Sequence, residues 1–292
     1  MTAVTPEPHA NRAGANPDVT GRLAVDFASD ATGRTFLRRQ YAGYPFHVCK
    51  LLYQDTHCPG LGTLYAQSCS GGIYQDDHHS VDIVARPGAQ AHVTTQASTI
   101  VHSMPKGVAI QDVRLVAEPG AYLEFLPDPQ ILFPESCLRA SARIAAGADA
   151  VVVFSDSFLC HDPQGAGRLP GSYRSEITVT DDTGRVLAID RLVLDSQTFA
   201  GRLPGVLGAF RAQGTLMLVS RSALPAESVA SLQRATGPHD EALVGMSELP
   251  NGAGWMFRIL AADGLALRRA MHACWHSIRC TLKGHAPMPR RK

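Results

Sequence analysis

The sequence has little charge and no long apolar run. Charged residues make up 18% of its 292 positions while 45% are hydrophobic. Wholesale disorder needs low hydrophobicity and a high net charge, and the formal net charge here is +1, so the chain is expected to fold. The longest apolar-leaning stretch, Ile144 to Phe154, is 11 residues long and contains Asp149. A membrane-spanning helix needs about 20 apolar residues, so none is expected. The seven cysteines are odd in number and contain no CxxC pair. That pattern excludes a zinc ribbon, argues against a secreted disulfide framework and fits a reducing cytoplasm. There is no Gly-x-Ser-x-Gly elbow, no P-loop and no Gly-x-Gly-x-x-Gly after a strand, so nucleophilic hydrolysis and nucleotide binding have no footing in a motif. Residues 1–20 lack the apolar stretch of a signal peptide and are expected to form a disordered leader.

What the sequence does have is period two. Arg22 to Phe27, Ser80 to Val84, Ala121 to Phe125 and Glu176 to Thr180 alternate apolar with polar residues, the signature of strands with one face in a core. About fourteen to eighteen short strands are expected between Gly, Pro and Asp turns. Two echoes recur. Pro87-Gly88-Ala89, Pro119-Gly120-Ala121 and Ala146-Gly147-Ala148 each resemble a turn before a strand, with the glycine supplying a positive φ. Their steps are too irregular for a strict solenoid repeat. Asp30-Ala31-Thr32-Gly33-Arg34 and Asp181-Asp182-Thr183-Gly184-Arg185 resemble two hairpin tips. Helices come late, over Pro225 to Ala235 and Asp263 to Lys283. Leu267, Met271, Cys274, Trp275, Ile278 and Leu282 of the second form one apolar stripe. The length alone would allow two domains, but an all-β chain of this size is often one.

Several polar groups invite a chemical reading. His272, His276 and Cys280 are four apart on the last helix, with Arg269, Arg279 and Lys283 on the same face, a charge pattern unfavourable to a metal ion. Asp76-Asp77-His78-His79 is denser in ligands, and carboxylate with imidazole suits nickel or zinc. On a strand, however, adjacent side chains point to opposite faces. Cys160-His161-Asp162 are consecutive, whereas a catalytic triad needs convergence in space. Residues 258–292 carry eight Lys/Arg against one acid. Their two readings are a solvated helix with a loose tail and an electrostatic docking segment.

Three segments, in order, resemble the urease accessory protein D family, also called H. They are Ser70-Gly71-Gly72-Ile73-Tyr74-Gln75-Asp76-Asp77, then Val93-Thr94-Thr95-Gln96-Ala97-Ser98-Thr99, then Leu123 to Phe133, which reads LEFLPDPQILF. Trp275, Ile278-Arg279, Gly284 and Pro289-Arg290 are similar to the family's end. The resemblance covers roughly residues 21 to 291. Two departures stand out: Asp76 replaces a family glycine, and the stretch from Cys160 to Glu176 matches poorly.

The resemblance implies a non-enzymatic scaffold between the urease apoprotein and the accessory F-type and G-type proteins, one that helps nickel reach the urease active site through the β-structure. It implies a mainly β, elongated stacked-sheet, β-helix-like fold with about two helices near the C-terminus, in agreement with the strand count. The expected layout is a leader at 1–20, one domain at 21–285 and a basic tail at 286–292. No tightly bound cofactor, nucleic acid or membrane is expected. Asp77, Glu124 and Glu176 are expected to give acidic groups to a nickel path in transit, with His78 and His79 at its entry. Carboxylates hold nickel less firmly than thiolate or imidazole, which suits a path rather than a store. The alternatives are a hydrolase on a β-fold using the cluster from Asp76 to His79, and a β scaffold that binds proteins other than urease.

Overall fold

The computed structural model describes residues 18–290. The expectations for positions 1–17, 291 and 292 lie outside the described residues. Seventeen strands follow one another: β1 (Gly21–Ser29), β2 (Thr35–Ala42), β3 (Phe46–Val48), β4 (Gly62–Ser68), β5 (His78–Ala85), β6 (Gln90–Thr95), β7 (Ile100–Val101), β8 (Ala109–Ala117), β9 (Tyr122–Phe125), β10 (Gln130–Leu132), β11 (Cys137–Ala146), β12 (Val151–Cys160), β13 (Ser172–Asp181), β14 (Val186–Asp195), β15 (Ala212–Ser220), β16 (Ala242–Leu249) and β17 (Gly254–Ala261). Helix α1 (Ser196–Gly201) follows β14, α2 (Ala226–Arg234) follows β15 and α3 (Gly264–Lys283) follows β17.

The strands form two layered sheets. The first has the order β14-β13-β11-β8-β5-β1-β2, and the second runs β16-β17-β15-β12-β9-β6-β4-β3, with β10 and β7 attached beside β12. From β4 to β13 the chain passes back and forth between the sheets. In each sheet, successive strands of this winding pair in parallel. Such a path is a stack of coils, as expected for the β-helix-like scaffold.

One end of the stack is held by three superposed tight turns. The N–H groups of Ala89, Ala121 and Ala150 donate to the carbonyls of Arg86, Glu118 and Gly147 at 2.9, 2.9 and 3.2 Å. The third residue of each turn has a positive φ, and these are Gly88, Gly120 and Asp149. The sequence reading placed the third positive φ at Gly147. The structure moves it to Asp149 (φ 53°), because Asp also tolerates the left-handed region. Adjacent turns bond to each other, Gly120 N–H to the Ala148 carbonyl and Gly147 N–H to the Ala117 carbonyl. The irregular spacing in sequence is therefore absorbed at the opposite end, where the connections are long.

The two Asp-x-Thr-Gly-Arg echoes are hairpin tips at the two ends of the first sheet. Asp30 Oδ1 accepts from Thr32 N–H, Thr32 Oγ1 and Arg34 N–H, and Asp181 Oδ1 does the same for Thr183 and Arg185. They turn β1 into β2 and β13 into β14, both antiparallel pairs.

Alternation survives where one face meets water. In β5, His79, Val81, Ile83 and Ala85 are buried and the residues between them are half-exposed. It disappears in β15, all nine residues of which are buried, because one face meets the inter-sheet core and the other lies under α3. The inter-sheet core includes Leu23, Phe27, Ile83, Leu115, Leu123, Val152 and Met217. A second core packs Leu267, Ala270, Cys274, Trp275 and Ile278 of α3 on Val153, Leu216, Leu218 and Phe257. The expected apolar stripe of α3 is this contact. Asp263 caps its start by accepting from the N–H groups of Leu265 and Ala266, and Gly284 ends it in the left-handed conformation. Helix α2 begins one residue later than expected, with Pro225 at its N-cap instead of in its first turn. Helix α1 was not anticipated; its six residues are started by the Asp195 side chain, which accepts from Thr198 N–H.

Candidate functional site

The long connections gather at the end of the coils away from the tight turns. There a cavity of about 470 Å³ opens between the sheets. All three motif segments contribute to it: Gly71-Gly72-Ile73 from the first, Thr95 to Thr99 from the second, and Phe125, Pro127, Asp128 and Gln130 from the third. The first sheet adds His79, Gln111, Ser141 and Ser175, and β12 adds Asp156 and Ser157. Parallel coiling brings these distant stretches together, because each returns to the same end of the stack.

Local geometry explains the glycine pair. Gly72 has φ +146°, and a Cβ there would sit 2.3 Å from the Ile100 carbonyl oxygen. Only glycine permits that approach, which lets Ile73 N–H bond to Ile100 at 2.8 Å and seal the cavity wall. Asp76, which replaces a family glycine, has φ 66°. The backbone thus keeps a conformation suited to glycine, and Asp is among the residues that tolerate it.

Oxygen donors stand in a lining that is otherwise mostly apolar. The half-buried Asp156 carboxyl accepts from Tyr173 Oη at 2.7 Å and Ser175 Oγ at 2.6 Å. Burial pushes its pKa up despite these bonds. The Gln130 amide donates to Gln111 across the cavity. Burial holds the His79 imidazole below its ordinary pKa, so it is neutral at pH 7 and has a lone pair to offer.

The five residues expected on a nickel path do not converge. His79 lines the cavity, with Nε2 3.8 Å from Asp77 Oδ2. Asp77 itself closes the turn by accepting from Tyr74 N–H at 2.8 Å. His78 points the other way on β5 and pairs with Asp112 at 2.8 Å. Glu176 is exposed on β13 and pairs with Arg191 at 2.7 Å. Neither Asp77, His78, Glu124 nor Glu176 lines the cavity.

Glu124 instead lies under α3, fully buried. Five donors surround its carboxylate: His92 Nδ1 at 2.7 Å, Tyr122 Oη at 2.6 Å, Trp275 Nε1 at 3.0 Å, and Arg279 through Nε at 2.7 Å and Nη2 at 3.0 Å. Arg279 Nη1 also donates to Asp55 at 2.7 Å. Burial alone would raise the pKa of Glu124. The His92 hydrogen bond and the Arg279 charge outweigh it and hold the carboxyl well below the usual range. Burial lowers the pKa of His92, which therefore stays neutral and donates through Nδ1.

The sequence reading put Arg279 on the solvent face of α3. The structure buries it to 2% exposure, because two acids wait beneath the helix. Helical period alone scored Arg279 by its charge. The signal that would have found it is the pairing of two motif residues of opposite sign, Glu124 and Arg279. The basic tail also folds back: Arg290 lies 4.8 Å over the Trp275 ring and 3.6 Å from Asp128, and Pro287 is buried.

The other chemical candidates do not assemble. On α3 the Cys280 Sγ is 3.7 Å from His276 Nδ1, but the rings of His272 and His276 are 6.3 Å apart and share no third acid. Burial pushes the Cys160 thiol up to about 12, which leaves it a poor nucleophile at neutral pH. Asp162 is taken up by Arg168, at 2.7 Å.

A family model described as UreD urease accessory protein matches residues 19–292. The chain is 39% identical over 278 residues to urease accessory protein UreD 1 of Pseudomonas syringae pv. syringae, covering 94% of this chain and 97% of the relative. It is 38% identical over 289 residues to UreD 1 of Methylorubrum extorquens, covering 98% and 97%. UreD of Haloarcula marismortui is 33% identical over 283 residues, covering 94% and 90%. These relatives are named for an accessory role, in keeping with a protein that is not itself an enzyme. The chain therefore belongs to the UreD family of urease accessory proteins.

Proposed function

We propose that this chain is a cytoplasmic scaffold for urease maturation that gives nickel a polar route between its two sheets. The observation that carries the reading is the cavity to which all three motif segments contribute. Its oxygen donors, Asp128, Asp156, Gln130 and the hydroxyls of Ser157 and Ser175, are hard ligands. Such donors bind nickel weakly and release it readily. The neutral imidazole of His79 is the stronger ligand at the edge of the lining. In this reading the acidic path is made by Asp128 and Asp156 rather than by Glu124 and Glu176. Its two ends meet partners, the urease apoprotein at one and the F-type and G-type accessory proteins at the other. Nickel is cargo here and no cofactor is retained.

The test is to block the space without disturbing the fold. Ala140 lines the cavity from β11. Ala140→Phe is expected to abolish nickel-dependent activation of urease while co-purification with urease apoprotein continues. Normal activation by a folded variant would remove the route. Failure of the wild-type chain to co-purify with urease would favour a scaffold for other proteins.

A further inference from the structure

We propose a transition-metal site outside the cavity, formed by Asp55, Cys58 and His285 at the C-terminal end of α3. One ligand atom from each lies within 4.8 Å of the other two. Cys58 Sγ and His285 Nε2 are 3.1 Å apart although 227 positions separate them. The cluster combines a thiolate, an imidazole and a carboxylate, a donor set for a borderline divalent ion such as Zn²⁺, Co²⁺ or Ni²⁺.

Each ligand is held for the task. His285 Nδ1 stands 3.1 Å from the Ala286 carbonyl, which can only accept. Nδ1 must then carry the proton, and the neutral ring presents the Nε2 lone pair to Cys58. Fixing the tautomer through a backbone carbonyl is how metal-binding histidines are oriented. The ring is also stacked on His57, with centroids 4.9 Å apart. Asp55 is buried and aimed by two backbone donors, the N–H groups of His57 and Cys58, at 3.0 and 3.1 Å. Both of those bonds fall on Oδ1, while Oδ2 accepts from Arg279 alone and keeps a second lone pair for a metal.

The charges are compatible with a divalent ion. A thiolate and a carboxylate neutralise it, and Lys283 and Arg279 both favour the thiolate, opposing the burial and the Asp55 charge that push the Cys58 thiol up. The Lys283 ammonium is held off by Gln90 Oε1 at 2.8 Å and by the Tyr122 ring at 4.1 Å. In the metal-free protein the Cys58 thiol donates to His285 Nε2. A metal ion takes the place of that proton, which is released to solvent. The fourth position is open to water or to a ligand from a partner. The site ties the segment after α3 to the loop before β4, and it stands whether or not nickel travels through the cavity.

The test is titration of the full-length chain with Co²⁺, followed by displacement with Zn²⁺ and Ni²⁺. One equivalent is expected to bind and to give a sulfur-to-cobalt charge-transfer band. Cys58→Ser is expected to abolish the band, and His285→Ala to weaken binding by at least about tenfold, the lower end of what is lost when even an outer partner of a metal ligand is removed. The double variant Cys280→Ser/His276→Ala, which removes the other Cys–His pair of α3, is expected to keep the band. Circular dichroism verifies folding. His285 follows the helix end, so His285→Ala carries the test if Cys58→Ser does not fold. A folded wild type without the band overturns the proposal, as does a band that survives Cys58→Ser or an affinity unchanged in His285→Ala.

Discussion

The second sheet has polar groups buried on both of its faces, and the two faces treat them differently. On the outer face, under α3, Glu124 is saturated by five donors, and Arg279 spans it and Asp55. On the inner face, Asp156 is held by two hydroxyls beside open volume. A carboxylate whose acceptor sites are all taken, as at Glu124, is a fixed structural joint, because it has no lone pair left to exchange. Polar groups set beside a cavity keep donors available to something that passes. Buried charge by itself does not mark a functional site. The unfilled space beside it does.

The comparison breaks most visibly at Arg279. Arg279→Met removes one cation from two buried acids, and losing one partner of a buried pair costs about 3–5 kcal/mol. Urea denaturation is expected to show a loss of that size. A loss under about 1 kcal/mol would mean that water reaches Glu124. Trp275→Ala removes both the packed indole, 5% exposed, and a donor to Glu124, and is expected to destabilise by roughly 3–5 kcal/mol.

Acid sharpens the contrast. Burial holds His92 and His79 below their ordinary value of 6.5. A group with a depressed folded pKa stabilises the fold above its unfolded value and loses that contribution as pH falls. Stability is therefore expected to decline from about pH 6.5 downward. It should fall more steeply below about pH 4.5, where Glu124 has its ordinary value and is held lower in the fold. Asp156 has a raised pKa and works in the opposite direction. Because Asp156 partly offsets the acid decline, Asp156→Asn should steepen that decline and change thermal stability at neutral pH little.

Function is expected to reverse that ranking. Asp156→Asn, which costs within about 1 kcal/mol because one hydroxyl partner can still donate to the amide oxygen and the other can turn to accept from its N–H, should lower nickel-dependent urease activation. A variant that activates normally would make Asp156 a structural residue like Glu124. The smallest effect is expected at the basic end. Arg258, Arg279 and Arg290 are paired within the chain, to Asp190, to Glu124 and Asp55, and to Asp128. Arg268 and Arg269 remain exposed on α3. Replacing both with Gln should slow association with a urease complex by less than about tenfold, with a weak dependence on salt. A strong salt dependence lost in this variant would restore the whole segment as a docking surface.

Much of the fold was legible because it rests on local rules. Period two marked β5 and β13, Asp-x-Thr-Gly-Arg marked both hairpins, and Asp263 with Gly284 bracketed α3. The misreadings share one cause. Glu124 and Arg279 were each assigned by their own neighbours, Leu123 and Phe125 in one case and the polar side of a helix in the other. They lie 155 positions apart. A charge on a strand or helix reads as solvent-facing until its counter-charge is placed opposite, and only packing places it. The cluster of Asp55, Cys58 and His285 escaped for the same reason, since its cysteine and histidine are 227 positions apart.

By itself the sequence determined the β architecture, the last helix and its buried stripe, and the order of the motif segments. These depend on hydrophobic period, capping and turn residues, which act over a few positions. Tertiary structure alone decided that the motif segments meet around one cavity, that Glu124 is met by five donors beneath α3, and that the C-terminal segment closes over Trp275. Parallel coils bring distant stretches to the same end of a stack, and a buried charge is stable only where such a return supplies its partner.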